Sequence, residues 1–425
     1  MIRNYQEYYD ETFYTETLDN GLQVVIFHKP EFKTSVCAFG TPYGALDINQ
    51  KYHGKTYRFN PGIAHFLEHK LFESQGDDIM NAFSALGANV NAFTSYRETV
   101  YYFSKTGEDI EKPLNLLLDF VQNLNISEES VEKEKGIIHQ EVSMYEQLPD
   151  SRLLNETYKS LYHHFPYKYD IGGNKKSIYA ISKAELDECY RINYHPSNMV
   201  LVVTTPLDPE MIMTIVRNNQ SKKNFVYADT PVNDDPLEPD EAVHKTHKFK
   251  MNVNTDRHLL AYKFRPDFKD NNDAFKKEWC IRIMMEAHFS PLNPQYQKWL
   301  DDKIINDYFG YEVEFDTNCA NLMFYIESDD AKILKKLVKD TLKKDLLNQD
   351  VLDQIKRRYI GTSFQVFNDI ESFNNGYIRD YLSGLDFFEA LKILQDITLE
   401  DIRNTYKSLD FQHSSYISLL KNDKN

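Results

Sequence analysis

The chain has 425 residues, with 65 acidic side chains against 49 basic ones and a net charge of -16. That length exceeds one comfortable core and implies at least two domains. The accumulated negative charge disfavours a phosphate-binding surface, so neither nucleic acid nor a membrane is an expected partner. Short basic runs such as "KKLVKD" and "IKRRY" sit among acidic residues and read as solvated helix faces. Cys37, Cys189, Cys280 and Cys319 are far apart and form no CxxC pair, which suggests neither a disulfide framework nor a thiolate metal site. The amino-terminal "MIRNYQEYYDETFY" is acidic and tyrosine-rich, and no later apolar run approaches a membrane span, so a cytoplasmic location is expected.

In chain order, "LDNGLQVVIFHKP" places an Asn20-Gly21 turn before a β-branched strand, and "FKTSVCAFG" reads as its neighbour. After Pro61, the spacing of Ile63, Phe66, Leu67 and Leu71 predicts a helix. "DDIMNAFSALG" predicts another that stops at Gly87. "ANVNAFTSY" and "TVYYFSKTG" read as paired strands. Helices follow from Glu108 to about Leu124 and from about Glu128 to Gln147, the second stopped before Pro149.

The acidic, proline-bearing stretch at 229–243, "DTPVNDDPLEPDEAV", has the composition of an extended connector. It divides a first repeat, 1–228, from a second, 244–425. Across it the order of elements recurs: strand "HLLAYKF", helices "EWCIRIMMEAHF" and "PQYQKWLDDKII", strands "YEVEFDTN" and "ANLMFYIES", then helical "AKILKKLVKDTLKK". The expected fold is therefore α+β, built by duplication of one unit.

"GIAHFLEHKLFES" carries the chemistry. On a helix, His65 and His69 project from one face one turn apart, where both imidazoles can reach a single ion, and zinc suits such a pair. Glu68, on the turn between them, is better placed to take a proton from metal-held water than to complete the coordination. With 13 histidines in the chain, chance would produce the string only on the order of a few times per hundred such proteins. The matching stretch of the second repeat, "IRIMMEAHFSPLNP", keeps one histidine, so the triplet is not a requirement of the fold.

A catalytic zinc needs a third protein ligand. In "EESVEKEKGIIHQEVSMYEQ", Glu134 and Glu141 lie seven positions apart on nearly one face, which Ile137, Ile138 and Tyr145 are expected to share. Carboxylates within an apolar stripe need a positive partner. Glu141 is assigned as the ligand and Glu134 as the carboxylate that orients a ligand imidazole. His139 points elsewhere, and the doublet His163-His164 lacks ligand spacing and is expected to be structural.

Six stretches carry a resemblance: "LDNGL", "GIAHFLEH", "GANVNAFTSYRETVYYF", "VEKEKGIIHQEVSMYE", "FPYKYDIGGNKKSI" and "YHPSNMVLVVTTPLDPE". In this order they resemble the pitrilysin family of zinc peptidases, which includes insulin-degrading enzyme and the mitochondrial processing peptidase, and are most similar to its small bacterial branch with two repeats per chain. The second half resembles the motif-less repeat through "SPLNPQYQKWLDDKIINDYFGYEVEF". The resemblance implies two similar α/β sandwich domains in a clam-like arrangement. It also implies one zinc ion per chain held by His65, His69 and Glu141, with Glu68 as catalytic base and Glu134 supporting it. Asn91, Ala92 and Phe93 match a strand that pairs with extended peptide. Arg379 and Tyr381 are candidates for the family's carbonyl-binding arginine and tyrosine, since the strands at 311–327 hold no arginine.

The expected function is a zinc endopeptidase acting on peptides or unfolded segments, a precursor peptide among them. It would work as a homodimer or beside a related motif-less subunit. The competing expectation is a peptide-binding or scaffold subunit active only with such a partner.

Overall fold

The structure, a computed structural model, describes residues 1–74, 77–225 and 228–422. The elements that build its two larger sheets and their covers are, in chain order, β1 (Ile2–Gln6), β2 (Glu11–Thr17), β3 (Gln23–His28), β4 (Thr34–Thr41), α1 (Ile63–Leu71), α2 (Ile79–Ala85), β5 (Asn89–Thr94), β6 (Thr99–Thr106), α3 (Glu111–Val121), α4 (Glu128–Glu146), α5 (Pro149–Leu161), α6 (Lys183–Asn193), β7 (Val200–Thr205) and α7 (Pro209–Gln220). They continue with β8 (Thr246–Met251), β9 (Arg257–Phe264), α8 (Asn271–Phe289), β10 (Gly310–Asp316), β11 (Cys319–Glu327), α9 (Ile333–Thr341), α10 (Gln349–Gln365), α11 (Ile370–Leu382) and β12 (Ser414–Lys421).

The first sheet has the order β1-β2-β3-β7-β4-β6-β5 and the second β8-β12-β9-β11-β10. From β3 onward the two follow one plan. A parallel pair, β3 with β7 or β8 with β12, is followed by three antiparallel pairings. The duplication expected from element order is thus present strand for strand, and the amino-terminal β1-β2 hairpin is an addition to the first sheet.

The central strands of the first sheet are apolar on both faces. On the inner face Val24, Ile26, Cys37, Phe39, Leu201 and Val203 join the core with α1 and α3. On the outer face Phe27 meets Phe373 and Tyr377 of α11, with ring centroids 4.8 and 4.7 Å apart. The chain accordingly divides into two compact units whose segments alternate along the sequence. The first comprises Met1–Ser143, Tyr169–Asp235 and Gln365–Phe387; the second comprises Met144–Lys168, Pro236–Phe364 and Phe388–Asn425. A linear division at 229–243 contains the crossing at Asp235 but not the two exchanged segments. In the second unit the exchanged cover is α5, which packs on β12 and β9. The physical reason is the same in each unit: a sheet with two apolar faces needs a helix on both.

Several elements are shorter than their periodicity predicts. The helix expected at 294–305 is confined to Tyr296–Asp301, and Lys303 takes a left-handed φ of 55° soon after it. The helix expected from Glu108 starts at Glu111.

Because Phe373 is fully buried among rings of the first unit, Phe373→Ala is expected to lower the stability of that unit by roughly 3–5 kcal/mol in urea unfolding. A loss below about 1 kcal/mol would contradict the assignment of α11 to this core.

Candidate metal centre

On α1, Ile63, Ala64, Phe66 and Leu67 are essentially fully buried, and this fixes the roll of the helix. His65, Glu68 and His69 remain as a half-buried stripe at i, i+3 and i+4. The two imidazoles stand edge to face with centroids 4.6 Å apart. Gly62, which opens the helix, has φ 95°, and a Cβ there would lie 2.5 Å from the Gly172 carbonyl oxygen. The approach of that loop to the site therefore requires glycine.

On α4 the buried ridge is Val131, Lys135, Ile138 and Val142. Ile137 and Tyr145, expected on the same face as the glutamates, are instead exposed. The glutamates flank the ridge on the side that faces α1, and Ile137 and Tyr145 lie beyond it toward solvent. Glu141 Oε2 is 3.5 Å from His69 Nε2 and 3.9 Å from His65 Nε2. One ligand atom from each of His65, His69 and Glu141 lies within 4.8 Å of the others, the one such cluster of potential metal ligands among the described residues. Tetrahedral ligands at about 2.1 Å from zinc would be about 3.4 Å apart, so the donor set fits that ion.

The two imidazoles are shifted in opposite directions, and a metal ion entering the site would displace any proton held on His69 Nε2. Glu134 Oε1 lies 3.0 Å from His69 Nδ1, so a proton held there leaves Nε2, on the Glu141 side, as the atom that would meet a metal. Burial would lower the His69 pKa, but the bond to Glu134 and the nearby carboxylates outweigh it and raise it. Burial pushes Glu134 up, whereas its bond to His69 and the charge of Lys70 bring it below the usual carboxylate range. Burial, aided by the His69 charge, drives His65 down to about 4, leaving its imidazole neutral at physiological pH. Glu68 accepts a 2.5 Å hydrogen bond from the Thr94 hydroxyl, and burial raises its pKa despite that bond.

Two supporting residues escape a reading of the motif alone. Lys70 is fully buried and pairs with Glu73, the Ser130 hydroxyl and, at 3.7 Å, Glu134. The available signal is a lysine within an otherwise apolar helical ridge, which demands carboxylates around it. Thr94 reaches Glu68 from β5, the edge strand of the sheet.

Asn91, Ala92 and Phe93 lie on β5, where the Asn91 side chain accepts the Ala92 amide proton. The Arg379 guanidinium lies over the Phe93 ring, 4.6 Å from its centroid, and 3.8 Å from Glu98. Tyr381, two positions along α11, stacks instead on Tyr377. Arg379 and Tyr381 thus leave the helix in different directions. His139 faces Tyr179. The backbone amides of His163 and His164 donate to Glu238, a structural role. In the second unit the one histidine of the matching stretch, His288, has its ring nitrogens 2.7 and 2.9 Å from the carbonyl oxygens of Met284 and Lys344.

Residues 57–175 match the family model Insulinase (Peptidase family M16), and residues 180–359 match Peptidase M16 inactive domain. The chain is 35% identical, over 94% of each protein, to the uncharacterized zinc protease YmfH of Bacillus subtilis. The chain belongs to peptidase family M16. Further relatives align over about half the chain: the Neurospora crassa mitochondrial-processing peptidase subunit beta is 29% identical over 49% of this chain and 43% of its own. A solved M16-like peptidase from Alicyclobacillus acidocaldarius superposes with a TM-score of 0.91 at 28% identity, covering 97% of this chain and 99% of that one. Pitrilysin shares the fold with a TM-score of 0.76 at 14% identity, this chain spanning 45% of it. Among the described residues no helix is long and apolar enough to cross a membrane.

Replacing Glu134 by Gln keeps the shape but removes the charge behind His69, and zinc affinity measured by chelator competition is expected to fall about 10–100-fold. Unchanged affinity would mean that the contact does not prepare the imidazole as a ligand.

Proposed function

We propose that the chain is a zinc-dependent endopeptidase for peptides or unfolded segments, with His65, His69 and Glu141 as ligands of one zinc ion and Glu68 as the general base. The observation that carries this reading is the meeting of two imidazoles from α1 and one carboxylate from α4, with Glu68 beside them on the same helical stripe. When bound, zinc supplies Lewis-acid polarisation of the scissile carbonyl and acidifies a water molecule.

Glu68 takes a proton from the attacking water and returns it to the nitrogen of the leaving amine. Its half-buried position raises its proton affinity, while the Thr94 hydroxyl and backbone amide hold the carboxylate in place. Thr94 also links that base to β5. An extended substrate added to this edge strand, with Asn91, Ala92 and Phe93 along it, would bring its backbone to the base in a repeatable register. Arg379 would contribute by holding Phe93.

In this reading the half up to residue 228 bears the metal, 229–243 is the connector, and the half from 244 is motif-less. We further propose a cytoplasmic enzyme that acts as a homodimer or with a related motif-less subunit. The similarity to a protein named as a peptidase subunit supports the paired arrangement.

Glu68→Gln is expected to reduce cleavage of a quenched peptide mixture by about 10²–10⁴-fold with zinc still bound. His65→Ala should lose both zinc and cleavage. Activity should appear in the chain alone or on addition of the related subunit; an active Glu68→Gln protein would eliminate the assigned base.

A further inference from the structure

The second unit holds a feature that its local sequence conceals. The "KKLVKD" run, expected to be only a solvated helix face, lies along one wall of a groove of about 730 Å³ between α9 and the β8-β12 edge of the sheet. Lys332, Lys335, Lys336, Lys339 and Lys343 come from the α9 region, and Lys248 enters from β8. Lys343 pairs with Asp340 at 3.1 Å, whereas the other five have no carboxylate partner among the described residues. In a chain where acids outnumber bases this is an uncommon arrangement. Lysines one turn apart repel one another, and an incoming anion relieves that repulsion.

The groove is not purely electrostatic. Lys335 lies over the Tyr416 ring, 4.8 Å from its centroid, and the Tyr416 hydroxyl donates to the Ala331 carbonyl, fixing the ring in the groove. Lys335, Lys339 and Lys343 also border a second depression of about 420 Å³ lined by Leu260, Tyr262, Leu342 and Phe411. The lysine row spans about 16 Å, the reach of about five extended residues. All its cations are lysines, without the arginine forks that favour phosphodiester recognition. Its concave shape, floored by Thr246, Tyr416 and Ser418 and adjoining the apolar depression, also differs from the protruding apolar surface that enters a lipid interface.

We propose that this lysine-walled groove is a docking site for an extended acidic peptide segment that also carries apolar side chains. The site depends on neither the metal centre nor Glu68, and binding alone tests it. The probe is a fluorescein-labelled peptide of alternating glutamate and leucine, titrated with the full chain in the presence of EDTA and followed by anisotropy. Lys336 and Lys339 are exposed, so the double variant Lys336→Glu/Lys339→Glu is expected to melt at the same temperature as the wild type. It should bind the probe at least about tenfold more weakly. Lys336→Arg/Lys339→Arg should retain binding, and added salt should weaken it in the wild type. The proposal is overturned if the probe does not bind, if charge reversal leaves affinity unchanged, or if the arginine variant loses it. Tighter binding of polyglutamate, a single-stranded oligonucleotide or anionic vesicles would also overturn it.

Discussion

A buried ammonium fixes the geometry on which the candidate centre depends. Lys70 has no exposed surface, and it is held between α1 and α4 by Glu73, Ser130 and Glu134. An uncompensated charge there would be expensive, so the two helices meet in the register that brings carboxylate to ammonium. That register seats Glu134 on His69 Nδ1. Two helical turns further along α4 it places Glu141 opposite both Nε2 atoms. The apolar residues of α1 set the roll of the helix, and Lys70 sets which part of α4 it faces. The placement of His69, Glu134, Glu141 and Glu68 around one point is a consequence of one packing arrangement.

Duplication shows what is scaffold and what is chemistry. Both units use the same strand pairing, yet at the corresponding place in the second unit His288 is held by main-chain carbonyls and Glu286 is satisfied by Tyr311 at 2.9 Å and Arg358 at 2.9 Å. These polar groups have found partners within the protein and leave no converging donor set. The shared strand plan therefore does not itself call for a metal, and His-x-x-Glu-His is a feature of the first unit alone among the described residues.

Local chemistry was legible and long-range packing was not. His65, Glu68 and His69 can be read together because one helical turn relates them. Glu134 and Glu141 follow because a separation of seven keeps them on nearly one face. The neighbours assigned to those glutamates differ because periodicity alone gave too wide an apolar stripe: Ile138 is buried while Ile137 and Tyr145 face outward. Thr94 gives no local sign of its role, since its contact with Glu68 spans 26 positions. The exchange of α5 and α11 between units is equally silent, because an amphipathic helix does not encode which apolar sheet it will cover. The lysine groove escapes for a related reason: in sequence its charges sit beside acids, whereas in space they sit beside one another.

The central claim, that His65, His69 and Glu141 share one zinc ion, is tested most directly by zinc-edge X-ray absorption of the metal-loaded chain. The account predicts one zinc per chain in an oxygen and nitrogen environment at about 2.0–2.1 Å, with scattering from two imidazoles, and no zinc retained by His65→Ala protein. Absence of zinc from the wild-type chain, a sulfur shell near about 2.3 Å, or a full zinc complement with an unchanged histidine signal in His65→Ala protein would contradict it.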